Sequence, residues 1–432
     1  MRSIKSLVQY FSFQNHDKHK TDPFKMTLFQ KTASNSKQLL HSFLIQKNNI
    51  CLLFILLTPL VLTNCKSKSK NKNNEPFAYQ LPANTSIDKG LSDTLNTITN
   101  SWYNNFLKRS GFNGGIVIAK SGNIIYENYN GIAHLHGNDT INANTSLHIA
   151  SVSKTFTAMT VLKLWQDHKI NLDDEYAKYF PGFDYPGVTI KTLLNHRSGL
   201  PNYTYFIDEL KFDRHTPVTN QDILNCLINR KSELKNINAS NKHFSYCNTN
   251  YALLALLIEK VTQTSYPVYL KKTIFDPLGM KNTFVFTKEL EEKVNPSYDW
   301  RGVEIAESNL DFVYGDKNIY STPQDLLKWD RLLTSDLFLS KETKEEAYKP
   351  YSNEKSGIRN YGLGWRMYNF PNGYKIIYHN GWWHGSNAVF IRLIKENATI
   401  ILIGNKFNKC IYKAKELIGL FSNLNSTENE EE

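Results

Sequence analysis

The run LHIASVSKTFTAM, Leu147–Met159, sets a serine and a lysine three positions apart at the head of an apolar segment with helical period. It reads as an amphipathic helix in which Phe156, Met159, Val161, Leu162, Leu164 and Trp165 are the positions expected to enter a core. Residues i and i+3 on a helix have Cβ atoms ~5–6 Å apart, so Ser151 can meet Lys154 while Ser153 points elsewhere. Two readings follow. Ser151 as a helix N-cap and Lys154 as a solvated first-turn residue would carry no chemistry. Alternatively, Ser151 is a nucleophile, and a desolvated lysine takes its proton or holds a second base.

The flanking sequence gives this helix its surroundings. Upstream, GGIVIAK and NIIYENYNG are β-rich runs joined by Ser121-Gly122, a hairpin signal. A helix is predicted before them over Ile87–Arg109, with Leu91, Leu95, Ile98, Trp102 and Phe106 on its apolar face. Downstream the chain is mainly helical to about residue 290, including Asn220–Asn229 and Tyr251–Val261. Strand signals return in YGLGWRMY, YKIIYHN, NAVFIRLI and ATIILIGN, before a helical Cys410–Leu424. Strands at both ends of the chain around a helical middle predict an α/β (α+β) fold. Its antiparallel sheet is built from both ends and flanked by terminal helices, with a mainly helical lobe over about residues 155–310 inserted. No internal repeat is visible.

Three more stretches bear on the serine. In HFSYCNTNYALLALLIEKV, Tyr246 and Asn248 bracket Cys247 ahead of an apolar helix. A tyrosine beside a desolvated lysine can lose its proton below its usual pKa of ~10 and act as a base. In YHNGWWHG, His379 and Asn380 precede Gly381 and Trp382 at a strand end, where glycine lets backbone approach a ligand. YGLGW, Tyr361–Trp365, reads as a strand needing small residues beside another element. Each alone fits a cap, a turn or a loop.

The order Ser-x-x-Lys, then Tyr-x-Asn about 90 residues on, then His-x-Gly on a late strand resembles one family: class C β-lactamases, D-Ala-D-Ala carboxypeptidases and related esterases. TLLNHRSGLPNY, IFDPLGMKNT and IYSTPQDLLKW also resemble it, and the likeness runs from about Gly111 to Gly419. It implies a β-lactamase/transpeptidase-like fold and an acyl-enzyme on Ser151, with Lys154 and Tyr246 sharing the proton work. It implies that Asn248 holds Lys154 and a substrate amide or carbonyl. His379 then completes the hydrogen bonds where β-lactamases carry lysine, and the backbone N–H groups of Ser151 and Trp382 form the oxyanion hole. Three departures bear on the substrate. Asn380 replaces the usual Ser or Thr, GDKNIYS (Gly315–Ser321) replaces a glycine-rich run and should put Asp316 and Lys317 near the pocket rim, and GWWHGSN adds two tryptophans.

Charge locates the rest. Of the net +11, residues 1–75 carry +9, so the remaining 357 residues are nearly neutral, with no basic stripe for nucleic acid. Residues 1–65 read as a leader whose apolar segment, 50–64, includes ICLLFILLTPLVLT. Those fourteen residues would make ~21 Å of helix, short of the ~30 Å hydrocarbon core and suited to a signal peptide. The segment ends at Cys65 before a basic run, resembling a bacterial lipoprotein signal with Cys65 lipidated; an uncleaved anchor is the alternative. Residues 66–85 read as a disordered linker and 86–425 as the catalytic domain. Cys226, Cys247 and Cys410 form neither a disulfide framework nor a zinc motif, and His134 and His136 lack a third ligand, so no metal and no cofactor is expected.

The expected protein is a serine hydrolase of the bacterial cell envelope, outside the cytoplasm and held to the membrane by a lipid or short anchor. Its substrate would be a small ester or D-amino-acid peptide. The alternative is a penicillin-binding or receptor-type protein that acylates without efficient turnover.

Overall fold

In the computed structural model, residues 77–135, 137 and 139–422 are described. The leader, Cys65 and the linker as far as residue 76 lie outside them, as do His136 and the last three residues assigned to the domain.

The strands are β1 (Gly114–Lys120), β2 (Asn123–Asn130), β3 (Leu147–His148), β4 (Phe284–Val285), β5 (Ser297–Tyr298), β6 (Glu304–Ile305) and β7 (Ile319–Ser321). They continue as β8 (Arg359–Tyr361), β9 (Arg366–Asn369), β10 (Lys375–Trp383), β11 (Ser386–Leu393) and β12 (Ala398–Gly404). One seven-stranded sheet has the order β2-β1-β12-β11-β10-β9-β8, antiparallel throughout. Pairing of β1 with β12 (Gly114 opposite Gly404) joins the two ends of the chain, as the strand pattern required.

Alternation along these strands divides two cores. Ile116, Ile118, Ile400 and Leu402 face an outer layer made by Tyr103, Leu107, Ile411 and Leu417 from the terminal helical segments. Val117, Ala119, Ile401 and Ile403 face the inserted lobe. That lobe includes α2 (Ser153–Gln166), α3 (Ile190–Leu194), α4 (Tyr203–Glu209), α5 (Asn220–Asn229), α6 (Asn248–Thr262) and α7 (Tyr266–Leu270). The helices α8 (Pro323–Thr334) and α9 (Lys341–Ala347) follow it.

Three local expectations are corrected. The first helix, α1 (Lys89–Trp102), is capped by Asp88, widens into one π turn and then tightens into one 3₁₀ turn ending at Ser110. It buries Leu95, Thr99, Tyr103 and Leu107, while Leu91 and Ile98 are exposed, because the i, i+4 row that meets β2 lies beside the all-apolar one. YGLGW is not one strand: Tyr361 ends β8, and a loop precedes β9. Residues 77–85, expected to be linker, run along the domain; Tyr79 donates its N–H to the Pro277 carbonyl (2.9 Å) and its hydroxyl to the Thr273 carbonyl (3.1 Å).

Candidate active site

Ser151 sits in a 3₁₀ turn, Ala150–Val152, that feeds α2. It is not a cap: Val152 holds the N-cap position and no side chain caps the helix. Ala150 has φ 46°, a left-handed conformation uncommon for an L-residue. The turn is held in it from behind. The Ala150 N–H donates to His148 Nδ1 (3.2 Å), and His148 Nε2 pairs with Asn318 Oδ1 (3.0 Å). Ile149 donates its N–H to the Ile319 carbonyl (2.9 Å), and Ser153 Oγ accepts from the Ile319 N–H (3.2 Å). Thr157 Oγ1 donates to the Gly315 carbonyl (2.6 Å). The GDKNI segment is therefore a brace under the serine. The helix itself is buried nearly all round rather than amphipathic, with Trp165 half-buried, because sheet and lobe close on it from both sides.

Lys154 is 0% exposed, and its ammonium reaches three oxygens: Ser151 Oγ (3.0 Å), Asn248 Oδ1 (2.9 Å) and the Asp316 carbonyl (2.8 Å). Three donors meet three acceptors, and that balance is what a buried ammonium requires. Nζ also lies 5.0 Å from the Tyr246 ring centroid and 5.6 Å from that of Tyr251. Gly364 lets the helix into this place: its φ is 86°, and a Cβ there would stand 2.2 Å from Ala158 Cβ. The small-residue reading of YGLGW thus holds at Gly364, in a loop.

Tyr246 precedes α6, whose first residue is Asn248. Its hydroxyl oxygen is buried without a hydrogen-bond partner, an arrangement rare in folded proteins outside functional sites. Its ring packs 4.3 Å from that of His196. His196 Nδ1 accepts the Cys247 N–H (3.2 Å), and burial, then the charges of Lys154 and Arg366, hold the imidazole neutral.

The strand β10 brings up the other wall. Its partner β9 reaches only to Tyr378, so from His379 onward that edge carries no strand. The serine turn packs there: a Cβ at Gly381 would lie 2.3 Å from the Ile149 carbonyl oxygen. His379 is fully buried and held neutral by burial first, then by Arg366 and Lys154. Its Nδ1 donates to the Asn380 carbonyl (2.8 Å), which leaves Nε2 to accept from the Tyr361 hydroxyl (3.3 Å). The Asn380 side chain makes no hydrogen bond to any described residue. Trp382 is 64% exposed, and its indole donates to the His384 carbonyl (2.9 Å). Trp383 donates to Asp311 Oδ1 (2.6 Å), which pins the strand end beside a cavity of about 300 Å³ lined by His148, Asp311, Tyr320 and His384.

The structure thus gathers Ser151, Lys154, Tyr246, Asn248, His379 and Gly381 around one centre. It corrects the place of Asp316 and Lys317: both are buried behind Lys154 rather than on the rim. It also adds Arg366, which sequence reading passed over. Its guanidinium lies 5.0 Å from the Tyr246 ring centroid, with no carboxylate partner among the described residues. The available signal was an arginine thirteen positions before His379, on the far arm of a hairpin. Among the described residues no group of three His, Cys, Asp or Glu could hold a metal ion.

A sequence model of the Beta-lactamase family matches residues 100–417, and the chain belongs to that family, whose members are in general serine hydrolases. Penicillin-binding protein 4* of Bacillus subtilis is 34% identical over 330 residues, covering 71% of this chain and 72% of that protein. The penicillin-binding protein from Bacillus halodurans has the same fold, with a TM-score of 0.65 at 21% identity over 73% of this chain and 98% of that one. The octameric penicillin-binding protein homologue from Pyrococcus abyssi gives 0.62 at 24% identity, over 77% and 78%.

Proposed function

We propose that this chain is an extracytoplasmic hydrolase that cleaves an amide or ester bond through an acyl-enzyme on Ser151. The observation that carries the reading is the coordination of Lys154. Asn248 Oδ1 and the Asp316 carbonyl can only accept hydrogen bonds, so they fix two N–H groups of Nζ and turn its remaining position to Ser151 Oγ. A proton can move only there. The unpartnered Tyr246 hydroxyl is the second group able to take or return it. Attack by Oγ on a carbonyl carbon forms the C–O bond and sends the hydroxyl proton to this pair. Collapse of the tetrahedral intermediate expels the amine or alcohol, which leaves with that proton. The backbone N–H groups of Ser151 and Trp382 would stabilise the oxyanion, a contribution of ~2.7–4 kcal/mol per donor in such sites.

Arg366 narrows the substrate. His379 is neutral and fully occupied, so it supplies no charge to a ligand, whereas a guanidinium without a carboxylate partner suits an anionic group. Peptides ending in a D-amino-acid carboxylate meet that condition, and small neutral esters use the remaining machinery. One observation favours a second reading, acylation without efficient turnover: no described carboxylate hydrogen-bonds Ser151, Lys154 or Tyr246 to activate a deacylating water. The relatives named as penicillin-binding proteins fit either reading.

A fluorophosphonate probe with a nitrophenyl ester turnover assay tests both. The expected outcome is labelling and multiple turnovers that Ser151→Ala abolishes, with Lys154→Ala and Tyr246→Phe slowing both about 10²–10⁴-fold. A single burst without turnover selects the second reading. Labelling that survives in Ser151→Ala refutes both.

A further inference from the structure

Behind Lys154 lies a buried cluster that the proton chemistry above does not use. Tyr203, at the head of α4, donates its hydroxyl to Asp316 Oδ2 (2.8 Å) and accepts from Lys317 Nζ (2.6 Å). Lys317 Nζ also donates to the Val313 carbonyl (3.2 Å) and stands 3.9 Å from Asp316 Oδ1, an oxygen with no hydrogen-bond partner. Asp316 is 1% and Lys317 2% exposed. A buried carboxylate and ammonium lose several kcal/mol of hydration each, and their mutual attraction often fails to recover it. A cluster kept at that cost, one peptide away from the proton-transfer group, calls for a role.

Its position suggests one. The Asp316 carbonyl is one of only two acceptors that aim Lys154 at Ser151, and the side chain of the same residue is held by the Tyr203 hydroxyl. We propose that the Asp316–Tyr203–Lys317 cluster is a positioning device for Lys154, with the Asp316 carboxylate as the one anion behind its ammonium. Tyr203 locks the carboxylate, the carboxylate locks the peptide, and the peptide carbonyl locks Nζ. The inference rests on the acyl-enzyme reading. The groups that face Lys154 are Asp316 and Lys317 from the brace, Tyr203 from α4 and His196 after α3. Tyr246 and Cys247 face it from the segment before α6, Tyr251 from α6, Tyr361 and Arg366 from β8 and β9, and His379 from β10. Asp316 is the one anion among them.

The test measures fluorophosphonate labelling of the full chain from about pH 5 to about pH 10, with thermal melting alongside. Tyr203→Phe keeps the ring and removes the bridging oxygen. It should slow labelling about tenfold to a hundredfold, the scale of a small misplacement of a reacting group, with ester KM unchanged. Asp316→Asn keeps the shape and removes the one anion facing the proton-transfer pair, so the acid limb of the labelling profile should move to lower pH. If Tyr203→Phe does not fold, the limb in Asp316→Asn decides. Wild-type rates and profile in the folded variants overturn the proposal, as does slower labelling with an unmoved limb and a melting point lowered in step. Absence of labelling in the wild type overturns the acyl-enzyme reading itself, and this inference with it.

Discussion

The Arg366 guanidinium lies over the face of Tyr246, 5.0 Å from the ring centroid, with Lys154 Nζ at the same distance from that ring. Two cations share one aromatic ring beside the candidate nucleophile, and only Lys154 has its hydrogen bonds taken up by the site.

Arg366→Ala should therefore separate substrates by charge. A hydrogen bond to a charged group contributes about 1.5–3 kcal/mol, so KM for a carboxylate-terminated peptide or depsipeptide should rise about tenfold to a hundredfold. A neutral nitrophenyl ester should change little. Equal losses on both substrates would show that Arg366 serves Tyr246 instead of the ligand.

Gly364 meets two constraints at once, a φ of 86° and the contact with Ala158 on the nucleophile helix. Gly364→Ala should cost about 1–3 kcal/mol through overpacking and strain, seen as a lower melting temperature. Because the displaced helix carries Lys154 and continues from the turn that holds Ser151, labelling should slow as well. A variant as stable as the wild type would show that helix and loop separate freely.

His148 provides a pH dependence of stability. Burial lowers its pKa to about 4, and its Nδ1 is occupied as an acceptor of the Ala150 N–H. The unfolded chain binds that proton near pH 6.5, whereas the folded chain resists until about pH 4. Stability from this group is complete above about pH 6.5 and is lost progressively as pH falls toward 4, by up to about 3 kcal/mol. His148→Gln should flatten that stretch of the melting curve against pH. An unchanged slope would place the acid sensitivity elsewhere.

Cys65 lies outside the described residues, and no helix among those described is long and apolar enough to cross a membrane. If Cys65 carries lipid, Cys65→Ser should release the protein from the membrane fraction, since acyl chains supply ~0.8 kcal/mol per buried CH₂. A Cys65→Ser protein that stays membrane-bound with its leader intact would identify the apolar run as the anchor.

Much of the centre was legible in the sequence because it is local. Ser151 and Lys154 are one helical turn apart, Tyr246 and Asn248 two residues apart, and helical period or chain adjacency alone makes such residues neighbours. The sheet was legible for the same reason: the runs at Gly114–Lys120 and Ala398–Gly404 carry the strand pattern, and a strand with two apolar faces must be covered on both. Tertiary structure alone decided which partners arrive from far along the chain. Tyr203 meets Asp316 across 113 positions and Lys154 meets the Asp316 carbonyl across 162. Nothing in local spacing encodes those distances; they follow from how the lobe folds back onto the sheet. The same holds for the face α1 buries and for the burial of Asp316 and Lys317, since a charged pair reads as surface until packing supplies its partners.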